Sequence, residues 1–179
     1  MLNKEDAGLI VVDIQGKLAT LVHDSETVIA NCAKLIQGAQ SLGMPIIWLE
    51  QNPEKLGSTI EAIAELMGEQ QPIAKYTFDG CAEPEFKLAL NEAQKHSWLL
   101  CGIETHICVY QTATHLANLH FDIHVVSDCV SSRNVANHNL TLTKFNNENV
   151  KVTGLEMCLY ELVKDCRDPG FKQILTLVK

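Results

Sequence analysis

Apolar positions along the chain fall into two alternating patterns. Residues 8–13, Gly8-Leu9-Ile10-Val11-Val12-Asp13, form a short unbroken run rich in β-branched side chains. Such a run fits a strand buried on both faces. Beyond Asp24 and Ser25, either of which suits a helix N-cap, Val28, Ile29, Cys32, Leu35, Ile36, Ala39 and Leu42 recur at helical spacing. Gly43 and Pro45 then supply the stop. Residues 46–50 read as a second strand, 51–57 as a loop and 60–67 as a short helix, with irregular chain over 75–80. Pro84 opens a helix that runs to about residue 95, because a proline at the first helical position sacrifices no hydrogen bond. Strands follow at 97–102, 121–127 and 150–153, with helices at 106–119, 134–149 and 156–164. Asp168-Pro169-Gly170 is a turn, and a last helix over 171–178 docks either on the body of the protein or on a partner. Consecutive parallel strands require crossover connections, so this alternation predicts a parallel sheet with helices on both faces. With no repeat, low-complexity tract or linker, residues 1–179 read as one domain.

Composition narrows the function. The 179 residues are 46% hydrophobic and 20% charged, which supports a core, and aromatics at 6% leave that core to Leu, Ile, Val and Ala. A net charge of -8 with scattered Lys and Arg opposes general attraction to nucleic acid or an anionic membrane. The N-terminus lacks a basic cluster followed by an apolar stretch, and no run reaches the about 18 apolar residues of a membrane span. A cytoplasmic location is the expectation. Seven cysteines cannot all pair within one chain, and none forms CxxC, so a reducing compartment and no structural zinc are expected.

In open α/β sheets ligands bind beyond the carboxyl ends of the strands. That rule selects Asp13, Glu50 and Gln51, residues 102–108, and Asp128. Cys108 falls near the first turn of the helix after the third strand, where unpaired N–H groups and partial positive charge favour a thiolate and can stabilise an oxyanion. Local sequence alone favours a small buried hydrophobe between Ile107 and Val109. Asp13 could cap a turn or act as a general base. Lys75 is unremarkable in isolation. His106, His115, His120 and His124 form neither HxH nor HExxH, and neither GxGxxG nor GxxxxGK[ST] occurs, so metal, dinucleotide and ATP sites of the usual kinds are unsupported.

Three segments taken together resemble the isochorismatase-like cysteine hydrolases: Leu9-Ile10-Val11-Val12-Asp13-Ile14-Gln15, Lys75-Tyr76-Thr77-Phe78, and Gly102-Ile103-Glu104-Thr105-His106-Ile107-Cys108-Val109. The resemblance implies a three-layer α/β/α sandwich of Rossmann-like type. Its mostly parallel sheet would have six strands, one more than the pattern places. It also implies a catalytic triad of Asp13, Lys75 and Cys108, a cis peptide between Ile103 and Glu104 in an oxyanion-binding turn, and no metal or other cofactor. Gln15, Glu50, Phe78 and Thr105 become pocket-wall candidates. The implied chemistry is hydrolysis of a non-peptide C–N bond in a small molecule through a thioester, in a homo-oligomer of two or more copies. Residues 50–55 lack the histidine of the family's nicotinamidase metal site, and Cys108 differs from true isochorismatases. A silent scaffold on the same fold and a nicotinamidase without the usual metal are the alternatives.

Overall fold

The computed structural model describes residues 1–179. Six strands build one sheet: β1 Ala7–Val12, β2 Ile46–Gln51, β3 Ile73–Lys75, β4 Ser97–Ile103, β5 Asp122–Ser131 and β6 Lys151–Thr153. Their spatial order is β3-β2-β1-β4-β5-β6, and every strand pair is parallel. The helices are α1 Leu18–Leu21, α2 Ser25–Ser41, α3 Pro53–Leu56, α4 Glu61–Ala64, α5 Pro84–Ala93, α6 Tyr110–Asn118, α7 Val135–Phe145, α8 Leu155–Val163 and α9 Phe171–Val178.

The central strands alternate between two apolar layers. Leu9, Val11, Leu99 and Cys101 join a core with α2, α8 and α9, whereas Ile10, Val12, Trp98 and Leu100 join a second core with α5 and α6. All six residues of β1 are buried. That explains why its sequence is apolar without interruption rather than alternating. Apolar α9 packs on its own domain: Ile174 is fully buried, and Phe171 meets Tyr160 edge-on with centroids 6.2 Å apart.

The strand absent from the sequence pattern is β3, whose three residues pair with Leu49, Glu50 and Gln51. Its segment is too short and polar to register as a strand, so Lys75 belongs to an edge strand rather than to irregular chain. The helix expected from residue 106 instead starts with a wide π turn, Thr105–Val109, and becomes α-helical only at Tyr110. β5 extends past the expected residue 127, and its pairing jumps from Leu100↔Val125 to Gly102↔Val130. Gly102 adopts φ +119, and a Cβ there would lie 2.0 Å from the Val12 carbonyl oxygen. Only glycine lets β4 press this closely on β1 at the end of the sheet.

The chain runs outward from β1 through β2 to β3, then returns to the other side of β1 as β4. The order therefore reverses between β1 and β4, and the carboxyl ends of these two strands flank the crevice.

Candidate active site

Asp13 follows β1 directly, with φ 53, and its side chain is buried. Its Oδ2 accepts a hydrogen bond from Lys75 Nζ at 2.8 Å, an ion pair in which neither partner has appreciable solvent exposure. Lys75 Nζ also donates to Gln51 Oε1 at 2.7 Å, and Gln51 Nε2 donates to the Tyr76 carbonyl at 2.9 Å. Gln51 Oε1 stands 4.0 Å from Cys108 Sγ. Four side chains from β1, β2, β3 and the turn after β4 thus meet at one point. Parallel pairing puts them there, because Gln51 and Lys75 are register partners at the ends of adjacent strands.

Asp13, Gln51 and Cys108 line a cavity of about 90 Å³ whose other walls include Leu18, Leu56, Phe78 and Ile107. Ile103 and Glu104 complete the floor, and the peptide between them is cis. The Glu104 carboxylate is engaged elsewhere, accepting from the backbone N–H of Arg133 at 2.9 Å and from its Nε at 3.1 Å. Burial works against ionisation of Glu104, but these Arg133 contacts outweigh it and hold the carboxyl below its usual range.

Burial dominates the electrostatics. It pushes the Asp13 carboxyl above its ordinary value despite the opposing charge and hydrogen bond of Lys75. Cys108 is pushed up to about 12, by burial first and then by the Asp13 charge, with Lys75 opposing. The helix start expected to favour a thiolate is thus opposed at Cys108 by burial and by the Asp13 charge. Cys108 lies in a π turn ahead of α6, and in this desolvated place the carboxylate outweighs the ammonium. The resting sulfur is a neutral thiol beside an Asp–Lys ion pair.

The wall candidates divide. Phe78 lines the cavity and is 53% exposed. Glu50 is directed away from it: its Oε1 accepts from the Thr59 backbone N–H at 2.6 Å and the Thr59 hydroxyl at 2.7 Å. Successive side chains on a strand face opposite ways, so with Gln51 in the cavity Glu50 faces the other layer. Gln15 stands behind the wall, donating to the Gln51 and Gly57 carbonyls at 3.1 and 2.7 Å and accepting from Gln51 N at 2.6 Å. Thr105 is fully buried, 3.0 Å from His138 Nδ1, and does not reach the cavity. Leu18 and Leu56 were not singled out from the sequence, and Gln51 and Ile107 fall at the strand ends that the crevice rule selects without being named as wall residues. The parity of β2 relative to Lys75 held the signal for Gln51, but reading it required β3 to be recognised as a strand.

The isochorismatase domain family matches residues 7–157. The secreted isochorismatase effector Isc1 of Phytophthora sojae is 35% identical over 177 residues, covering 96% of this chain and 83% of that protein. Isochorismatase domain-containing protein 1 of Danio rerio is 33% identical over 168 residues; the match covers 93% of this chain but only 59% of the zebrafish protein. Among solved structures, the MAR1 ribonuclease from Caenorhabditis elegans superposes with a TM-score of 0.93 at 31% identity, covering 99% of this chain and 91% of that one. The Escherichia coli YcaC product, an octameric hydrolase of unknown specificity, gives 0.92 at 21% identity, covering 98% and 89%, and so shares the fold. Domain match, relatives and superposition agree with the six-stranded architecture and its crevice, and the chain belongs to the isochorismatase-like hydrolase family.

Proposed function

We propose that the cavity hydrolyses a non-peptide C–N bond of a small, amide-like molecule, with Cys108 as nucleophile, Asp13 as proton carrier and Lys75 as the fixed cation. The observation that carries this reading is the division of labour within Asp13. Oδ2 is held by Lys75, while Oδ1 is buried with no hydrogen-bond partner, and Asp13 and Cys108 line the same cavity. A buried, unpaired carboxylate oxygen carries a desolvation cost, and a catalytic role accounts for its retention.

Releasing a proton from a thiol of pKa about 12 into water at pH 7 costs about 7 kcal/mol. Transfer to Asp13 as the sulfur attacks avoids forming a free thiolate. Sulfur bonds to the amide carbon, Asp13 gains the thiol proton, and the carbonyl oxygen becomes anionic within reach of backbone N–H groups of the turn over residues 103–108. Collapse breaks the C–N bond. The amine leaves with the proton from Asp13, and an acyl thioester remains on Cys108. Water then adds, giving one proton to Asp13, and the acid departs as sulfur regains that proton. Lys75 keeps Asp13 oriented and balances its charge while it is ionised. The small volume and largely hydrocarbon walls suit a short, uncharged acyl group.

The test is a panel of short aliphatic amides, nicotinamide with and without zinc, and single-stranded RNA, with Cys108→Ala as the blank. The RNA arm answers to the C. elegans MAR1 ribonuclease. Release of ammonia or amine by the wild type alone, with an acyl adduct on the Cys108 peptide after acid quench, is the expected result. RNA cleavage that survives Cys108→Ala, or complete inertness without any adduct, defeats the proposal. Self-association belongs to the same proposal. Leu140 and Met157 are each 66% exposed on α7 and α8, and apolar side chains this open suit an interface between copies. Sedimentation checks it, with a monomer as the contrary result.

A further inference from the structure

We propose that Asp79, Cys81 and His115 form a binding site for a borderline-soft divalent cation of the zinc type, separate from the Cys108 cavity. One ligating atom from each of these three side chains lies within 4.8 Å of the others. The donors come from two elements that are stapled together. Asp79 and Cys81 belong to the turn ahead of α5, His115 sits on α6, and Thr112, one helical turn before His115, accepts the Gly80 backbone N–H at 2.9 Å. The Asp79 carboxylate is already aimed: Oδ1 accepts from the Cys81 backbone N–H at 2.9 Å, and Oδ2 meets His115 Nδ1 at 2.6 Å.

Chemistry and access fit such an ion. Thiolate, imidazole and carboxylate are the zinc donor set, with metal–ligand distances of about 2.0–2.3 Å. A tetrahedral ion separates its ligand atoms by about 3.3–3.7 Å, so the Asp79–His115 pair need open by only about 1 Å. Cys81 is fully buried, while Asp79 and His115 are 23% and 41% exposed along a groove with Thr114 and Asn118. An ion therefore approaches from the Asp79–His115 side, which faces the groove and leaves room for a water as fourth ligand. A divalent ion favours the thiolate form of a coordinating cysteine. Binding expels the thiol proton to solvent and leaves His115 with its hydrogen on Nε2. One carboxylate and one thiolate then neutralise the ion's two charges. Linear spacing hides the group, because His115 is remote in sequence from Asp79 and Cys81.

Chelator-treated full-length protein is titrated with Co2+ while thiolate-to-cobalt charge-transfer absorption in the near ultraviolet is followed. One equivalent should produce the band, Zn2+ should bleach it, and Cys108→Ala and Cys166→Ser should keep it. Cys81→Ser should abolish the band, and His115→Ala should weaken binding at least about 10-fold. A missing band, or one undiminished in Cys81→Ser, overturns the site. If Cys81→Ser does not fold, the more exposed changes Asp79→Asn and His115→Ala decide: unaltered cobalt affinity in both overturns it equally.

Discussion

Cys108 and Cys158 are both buried thiols, and both are held at about 12, in each case chiefly by burial. Their surroundings differ. Cys158 lies in α8 within the apolar layer on the α2 side, and its sulfur donates to the Leu155 carbonyl of its own helix at 3.2 Å. Cys108 lies on the opposite layer, opens on a cavity, and shares that cavity with a carboxylate whose other oxygen is tied to an ammonium. Acidity in the resting state does not separate the two sulfurs. What separates them is a neighbouring Asp–Lys ion pair and an open cavity, which the proposed mechanism uses as proton acceptor, fixed cation and substrate space.

The largest effect should come from exchanging these roles. Cys108→Ala is expected to lower turnover by about 10⁴-fold or more, as losing a nucleophile does. Cys158→Ala should leave turnover within twofold, roughly, and cost about 1 kcal/mol of stability, the usual scale for a modest core change. Parallel activity and urea-unfolding measurements check both, and equal activity losses would erase the contrast. Next comes Lys75→Met, which strands the Asp13 charge in a buried place. It should cost about 3–5 kcal/mol in the same unfolding experiment, the scale of an uncompensated buried charge. Adding Asp13→Asn should restore most of that stability and none of the activity. Recovery of activity would remove Lys75 and Asp13 from the mechanism.

A smaller difference is expected between neighbours on β2. Gln51→Leu removes the acceptor for Lys75 and the polar neighbour of Cys108 and should lower kcat about 10-fold, equivalent to about 1.4 kcal/mol. Glu50→Gln changes the opposite face. It should leave kcat unchanged and lower the melting temperature, because a charge-assisted acceptor for Thr59 is lost. The reverse pattern would mean that β2 is read with the wrong parity.

That pair also shows what sequence reading could and could not reach. Strands such as β1 and β4 were legible because burial on both faces writes them as continuous apolar runs. Asp13 and Cys108 were legible because the crevice rule needs only strand ends. Lys75 drew attention only through family resemblance, since its segment has three paired residues and no hydrophobic pattern. Glu50 is a wall candidate through family resemblance, but strand parity relative to the neighbouring β3 decides that Gln51 faces the cavity. The π turn and the protonated thiol could not be read from linear sequence at all. The thiol is held up by burial and by Asp13, a residue 95 positions away along the chain.

The finest distinction is in pH. Burial raises the Asp13 carboxyl, so the native chain holds that proton more tightly than the unfolded chain does. Just above the ordinary carboxylate value the native state therefore binds more protons, and the Asp13 contribution to stability falls as pH rises through that window. The Asp13→Asn/Lys75→Met double variant should lose this slope. Catalysis should follow the opposite limb: kcat/KM climbs as Asp13 ionises, because only the carboxylate can accept the thiol proton. With Cys108 near 12, no second rise belongs between about pH 6 and pH 9, where an ordinary cysteine of pKa about 8.5 would titrate. Iodoacetamide labelling of Cys108, resolved by peptide mass spectrometry, should likewise keep accelerating to the alkaline end without a plateau. A plateau near neutrality would mean that the sulfur rests as a thiolate after all, and that the ammonium of Lys75 outweighs the carboxylate of Asp13 at the nucleophile.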